Sequence, residues 1–337
     1  MITIYDIAKY CDVSPSTVSK VINNYDTIPL ETKQKVLKAM KELDYIPNSN
    51  AKFLSKGKSN NVGILAYFRE TITPFAHPFF MEILNSFQEV MNKNKYDLLF
   101  VSRMVGGDSG TFYKNCVSRQ VDGVLLLGNM SNKEMVEVIR SEIPSVGFDY
   151  TGDLMSGVSS NNYELMSQLT EHVIFLGHKN IVYIAGDENE ITSRRIRGFK
   201  DTLEKYGLDS SNAVVQSRYI DAEDIELITL DILKRKNRPT VIMYPDDYSA
   251  MRGIDTIRHA GLSCPEDISV TGFDGIEIGQ IYYPRLTTAR QDTKKIGSLL
   301  AKKLILDMKN KKSTSEQIFI PGSIIVGEST TKLTNKN

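Results

Sequence analysis

The chain has no tryptophan and three cysteines in 337 residues, Cys11, Cys116 and Cys264. Three is an odd number and no two form a CxxC pair, so neither a disulfide framework nor a zinc knuckle is expected, and a reducing compartment is the default. It also lacks any excess of charge. Forty-one Lys and Arg balance forty-one Asp and Glu, so the whole-chain balance points to no partner. No apolar run approaches the ~18 residues of a membrane span. The opening MITIYDIAKYCDVS is charged within six residues and cannot supply the apolar core of a signal peptide. A soluble cytoplasmic protein is expected. Signatures of chemistry are missing as well: there is no GxSxG, HExxH or DxDxDG motif and no Cys–His pair at a suggestive spacing. An enzyme is therefore not expected, nor a cofactor or a metal.

What is present describes a multidomain globular chain. Hydrophobic residues make up 41% and charged residues 24%, which excludes wholesale disorder. At roughly 100–200 residues per domain, the length suggests two or three. Charge is unevenly placed: residues 1–60 hold nine Lys and six Asp or Glu, a net of +3, leaving −3 on the rest. A small basic end on a larger acidic body is the asymmetry of an attached nucleic-acid-binding module.

The first fifty residues support that reading. Thr3 can cap a helix over 4–10 with Ile4, Ile7 and Ala8 on one face. After a break at Cys11-Asp12-Val13, Ser14-Pro15 reads as a cap followed by a first-turn proline. The helix this starts, running to about Asn23, buries Val18, Val21 and Ile22 and presents Ser16, Thr17, Ser19 and Lys20. Two short helices across a tight turn, the second small and polar outside, make a helix-turn-helix able to enter a DNA major groove. A third helix over 30–43 has Val36, Leu37, Met40 and Leu43 inward and Lys33, Lys35, Lys38 and Lys41 outward. The pattern alone also admits a generic three-helix cap with a solvated lysine face.

Thr3-x-x-Asp6-Ile7-Ala8, Val13-Ser14-x-x-Thr17-Val18-Ser19-Lys20-Val21-x-Asn23, Glu31-Thr32-x-x-x-Val36 and Leu43-x-Tyr45-x-Pro47-Asn48 leading into Ala51-x-x-Leu54 form one ordered signature. It resembles the headpiece of the LacI/GalR family of bacterial transcription regulators. The resemblance implies that Tyr5, Ser16, Thr17, Ser19 and Lys20 face DNA bases or phosphates, with Thr3, Ser14 and Asn23 completing that surface. It further implies that 48–55 is a hinge helix that folds on operator DNA, contributing Asn48, Ala51, Lys52 and the wedge residue Leu54. Such a wedge unstacks a base step at a few kcal/mol and recovers that through the contact a bent duplex permits. Three residues depart from the family pattern: Asp12 replaces a turn glycine, Pro29 a Ser or Thr cap, and Lys20 the commoner Arg. Lysine lacks the planar fork that reads guanine most discriminatingly.

Beyond the polar linker at 56–61 the chain alternates strand-like and helical stretches. Strands are expected at 62–67, 97–101, 123–127, 145–148, 181–185, 213–216, 241–244 and 269–273. Helices are expected at 78–92, 165–176, 193–206, 222–235 and 248–260. Alternating βα units imply α/β architecture with parallel sheets, and eight strands over this length suggest two doubly wound lobes. Ligands bind beyond the carboxyl ends of such strands, where Asp149, Asp246 and Asp274 stand. Each of these could equally cap the helix that follows. The stretch 106–110 reads as a flexible loop, His178 as a turn residue, and the tail from Gly327 onward as frayed.

The family resemblance extends through His77-Pro78-Phe79-Phe80, Leu176-Gly177-His178, Arg195-x-Arg197-Gly198-Phe199, Pro265-Glu266-Asp267-Ile268 and Pro284-x-Leu286-Thr287-Thr288. It implies a periplasmic-binding-protein-like core of two lobes joined by three crossing strands. The implied divisions are a headpiece 1–47, a hinge and linker 48–61, an N-terminal lobe 62–161 with 292–322, a C-terminal lobe 162–291 with 323–331, and a disordered tail 332–337. The implied effector contacts are Phe79, Phe80, Asp149, Ser193, Arg195, Asp246 and Asp274. Asp149, Arg195 and Asp274 resemble the sugar-binding members. Asp246 in place of a common Asn, and Ile220 in place of an aromatic, set this chain apart. The function implied is a homodimeric repressor of a pseudo-palindromic operator, switched by a small molecule of the sugar class. Its rivals are a co-repressed or co-regulator-controlled relative and a sugar-binding protein with no DNA role.

Overall fold

The computed structural model describes residues 2–46, 58–68, 74–105, 108–311 and 314–333. The N-terminal unit is three helices, α1 (Ile4–Tyr10), α2 (Pro15–Ile22) and α3 (Leu30–Glu42). Thr3 and Asp6 form a reciprocal capping box that satisfies two of the orphan donors at the start of α1. Ser14 caps α2 by accepting from the Thr17 N–H at 3.0 Å, with Pro15 in the first turn. Asp12 supplies the left-handed turn between them at φ 48°, a region Asp enters more readily than most residues. Ile7, Ala8, Cys11, Val18, Val21, Val36 and Ala39 close the small core. Two expectations for α3 are corrected. Leu37 is 54% exposed and Ala39 is buried in its place, because the inward stripe follows positions 36, 39, 40 and 43. The Lys33 side chain is largely covered and reaches Asp26 at 3.9 Å. Pro29 precedes α3 and gives it no side-chain cap.

The body continues with β1 (Asn61–Tyr67), α4 (Pro78–Lys93), β2 (Asp97–Phe100), β3 (Met104–Val105), β4 (Asp108–Ser109), α5 (Phe112–Ser118), β5 (Gly123–Gly128), α6 (Lys133–Ile139), β6 (Ser145–Phe148) and β7 (Ser156–Ser160). Then follow α7 (Asn162–Phe175), β8 (Ile181–Ala185), α8 (Glu190–Lys205), β9 (Val214–Gln216), α9 (Ala222–Leu233), β10 (Val241–Met243), α10 (Asp247–His259), β11 (Ser269–Asp274), α11 (Glu277–Ile281), β12 (Thr287–Arg290), α12 (Thr293–Asn310), β13 (Gln317–Ile320) and β14 (Ser323–Ile325).

These strands build two six-stranded sheets, ordered β13-β7-β6-β5-β1-β2 and β14-β12-β11-β10-β8-β9. The first is parallel throughout; in the second, edge strand β14 runs antiparallel to β12. Helix α12 follows β12 of the second sheet, yet its Ile296, Leu300 and Leu304 join the core beneath the first, against Ile83 and Phe87 of α4. The chain therefore passes between the sheets three times: after β7, after β12 and after β13.

Four strands absent from the expectation, β7, β12, β13 and β14, complete the sheets. Strand β7 is Ser-Gly-Val-Ser-Ser and wholly buried, with no apolar run to announce it. Its Ser156 hydroxyl donates to the Thr314 carbonyl at 2.7 Å, which makes a polar buried strand tolerable. The expected loop at 106–110 is also corrected: Asp108–Ser109 pairs with Met104–Val105 as a short antiparallel ladder. The expected frayed tail is instead docked as far as Leu333. Ser329 is fully buried and donates to the Val270 carbonyl, and the Leu333 N–H donates to the Leu176 carbonyl at 2.8 Å. His178 is likewise buried, its two ring nitrogens paired with the Thr240 hydroxyl and the Thr331 carbonyl. All three cysteines are free and buried.

Candidate functional site

In both sheets the strand order reverses at one point, between β1 and β5 in the first and between β8 and β10 in the second. A doubly wound sheet leaves a crevice outside the carboxyl ends of its strands at such a point, because the connecting chains depart to opposite sides. Here the crevices of the two sheets merge into one cavity of about 920 Å³. Its lining follows the strand ends: Tyr67 and Phe68 from β1, Gly128 and Asn129 from β5, Asp149 after β6, Asp187 after β8, Asp246 after β10, Asp274 closing β11 and Gln291 after β12.

Arg195, one turn into α8, is 4% exposed. Its Nε donates to Asn162 Oδ1 at 2.7 Å and its Nη1 to the Pro245 carbonyl at 3.0 Å. The guanidinium lies 3.6 Å from the centre of the Phe273 ring, which supports its flat face. Asp149 sits at φ 58°, with Oδ1 buried and without a hydrogen-bond partner. Burial pushes its pKa up to about 6, against the pull of the Arg195 charge. Asp274 accepts from Gln291 Nε2 at 2.7 Å, and burial holds its pKa well above the usual carboxylate value. Asp246 lines the cavity and also caps α10, accepting from the Ser249 N–H at 2.8 Å and the Ser249 hydroxyl at 2.7 Å. For this residue the capping and cavity roles coincide.

Phe79 and Phe80 meet edge to face at 5.3 Å and flank Phe148, forming the aromatic wall of the first sheet's side. Ser193 is corrected: it is exposed on the outer face of α8 and does not line the cavity, because α8 turns Arg195 inward and the residue two places earlier outward. Residues that the sequence reading passed over stand in the wall instead. His77 is 6% exposed, packs 4.9 Å from Tyr248, and neither ring nitrogen has a partner. Gln291 is 4% exposed with Oε1 unpartnered. Tyr219, beside Ile220, shares a hydrogen bond with the Thr192 hydroxyl at 2.9 Å. The strand-end rule reaches Gln291 once β12 is known, and His77 is the residue before the first-turn proline of α4. Among the described residues no group of His, Cys, Asp and Glu is placed to hold a metal ion, and no helix is long and apolar enough to cross a membrane.

On the headpiece, Tyr5 is 70% exposed, Ser16 and Lys20 are exposed one turn apart on α2, and Thr17 and Ser19 are partly covered. Thr3, Ser14 and Asn23 carry structural bonds: Thr3 with Asp6, Ser14 with Thr17, and Asn23 Nδ2 donating to the Ser19 carbonyl at 3.0 Å. Asn48, Ala51, Lys52 and Leu54 lie outside the described residues.

Residues 3–48 match the model of bacterial regulatory proteins, lacI family, and residues 170–330 match that of the periplasmic binding protein-like domain. The probable HTH-type transcriptional repressor ExuR of Bacillus subtilis (strain 168) is 29% identical, with 99% of this chain and 100% of that protein covered. The ribose operon repressor of Haemophilus influenzae is 28% identical, with 98% of each covered. Among solved structures, the lac repressor dimer bound to operator and the anti-inducer ONPF superposes with a TM-score of 0.83 at 23% identity, covering 98% of this chain and 99% of that one. That likeness establishes a shared fold.

Proposed function

Because the chain belongs to the LacI family of bacterial regulatory proteins, we propose that it is a cytoplasmic transcriptional repressor whose grip on an operator is set by a polyhydroxy small molecule held between its two lobes. The observation that carries this reading is the single cavity at the merged switch points of both sheets, with buried, unpartnered polar atoms of Asp149, His77 and Gln291 in its wall. Buried polar atoms left unpaired cost about 1–3 kcal/mol each, so a ligand that pairs them is strongly favoured. Closing the lobes on such a ligand shifts them relative to each other through the three crossings.

The lobes are 62–161 with 292–322 and 162–291 with 323–331, behind a headpiece 1–47 and a hinge 48–61. Ser16, Thr17, Ser19 and Lys20 of α2, with Tyr5 of α1, face the major groove, and Leu54 enters the minor groove. Two copies present their α2 helices about one helical turn, ~34 Å, apart on a pseudo-palindrome. Phe79, Phe80, Asp149, Arg195 and Asp274 contact the ligand.

The test is selection of duplexes from a random pool by the full-length dimer, followed by titration with sugars. The expected product is a pseudo-palindrome, bound with a steep salt dependence and released by sugar. By linkage, operator must weaken sugar binding by the same factor. Enrichment of no duplex would end the reading.

A further inference from the structure

The charge and hydrogen-bonding character of the cavity wall go further than a generic sugar site. Six carboxylates line it, Asp149, Asp187, Glu188, Glu190, Asp246 and Asp274, against one permanent cation among the described lining residues, Arg195. Glu190 is paired with Arg194 at 2.9 Å and Arg197 at 3.5 Å, which sets it aside. Asp274 is set aside as well, because burial holds its pKa well above the usual carboxylate value, and Asp149, Asp187, Glu188 and Asp246 against the one Arg195 charge still leave a negative excess. Arg195 directs its Nε and Nη1 at neutral acceptors, the Asn162 amide oxygen and the Pro245 carbonyl. His77 adds no second charge at neutral pH, since burial pushes its pKa down.

The unpartnered atoms point the same way. Asp149 Oδ1 and Gln291 Oε1 are acceptors, and a neutral His77 offers one acceptor and one donor. A ligand must therefore bring mainly donors. Hydroxyl groups do so, whereas an added carboxylate or phosphate group brings acceptors to a wall already rich in them.

Resting on the ligand-cleft reading above, we propose that the cleft takes an electrically neutral polyol and excludes its carboxylated and phosphorylated counterparts, with His77 and Gln291 as specificity-determining contacts. A ligand anion about 6 Å from one uncompensated carboxylate, at an effective dielectric constant near 20, binds about 100-fold more weakly than its neutral twin.

The experiment is a thermal-shift titration of the full-length protein with matched sets: glucose, glucuronate and glucose 6-phosphate; galactose and galacturonate; ribose and ribose 5-phosphate. The expected result is stabilisation by a neutral member, with its anionic twins at least about 100-fold weaker. A uronate or sugar phosphate that stabilises as well as its neutral twin overturns the inference and leaves the ligand cleft standing. Stabilisation by none of the panel, or by added purine bases only, overturns the polyol reading itself. A second measurement uses Asp246→Asn, which keeps an α10 cap and removes one charge. The neutral-to-anion affinity ratio should narrow by about tenfold or more, and an unchanged ratio counts against the proposal.

Discussion

Replacing Asp149 by asparagine should stabilise the unliganded protein and weaken its ligand binding, two effects of opposite sign from one atom exchange. The φ of 58° suits Asn as well as Asp, so the backbone need not move. The Asp149 pKa rises from 3.8 in an unhindered carboxyl to about 6 in the folded protein. At about 1.4 kcal/mol per unit this is an upper bound of about 3 kcal/mol against folding at neutral pH. Because the residue is only partly covered, ~1–2 kcal/mol is the fairer figure. The sign follows from proton uptake. Between about pH 4 and 6 the folded state holds a proton that the unfolded chain has lost, so this residue's contribution falls as pH rises through that window and is constant above it.

Urea unfolding of both proteins at intervals from pH 4 to 8 should therefore show curves that meet near pH 4 and diverge to ~1–2 kcal/mol by pH 7, with the variant the more stable. Loss of a charged acceptor should meanwhile weaken sugar binding ~10–100-fold. A stability difference that does not change with pH would refute the burial argument. Unchanged sugar affinity would remove Asp149 from the ligand's contacts.

Ser14→Ala removes the cap of α2 and should cost ~1 kcal/mol. In full-length protein this should weaken operator binding severalfold, with sugar affinity unchanged. Lys20→Ala, at an exposed position of α2, should lower the slope of log affinity against log salt by about one, as measured by fluorescence anisotropy. Gly297→Ala puts a Cβ into the Ile83 carbonyl oxygen and 3.0 Å from the Phe87 nitrogen, where α12 and α4 pack. Calorimetry should show a loss of ~2 kcal/mol or more, since backbone on both sides leaves no side chain to yield.

Local patterns revealed most of the elements, including the three headpiece helices, though not which residues of α3 turn inward. Thr3, Ser14-Pro15 and the Ile7, Val18, Val21 and Val36 positions specify three helices through contacts a few residues apart, and periodicity and capping report such contacts directly. The strand ends that carry Asp149, Asp246 and Asp274 were legible for the same reason. Strands β7 and β12 were not, because buried Ser and Thr are recognisable as core only when their distant partners are known, as with Ser156 and Thr314. Strands β13 and β14 are runs of four and three residues whose sheet partners are set by chain crossings and not by a neighbouring βα unit. The tail was misread on the same ground: Ser329 and Leu333 look solvated until Val270 and Leu176 are seen to receive them.

What the amino-acid order settles alone is thus most of the secondary elements, the three helices of the N-terminal unit, and the acidic residues that close the strands. Tertiary structure decided which of those residues share a cavity. It turned Ser193 out and Arg195 in by rotation along α8, and it brought His77 and Gln291, 214 positions apart in the numbering, to the same wall. Convergence of this kind depends on how two sheets reverse their strand order and face each other, a property of chain paths through space that no local window of residues contains.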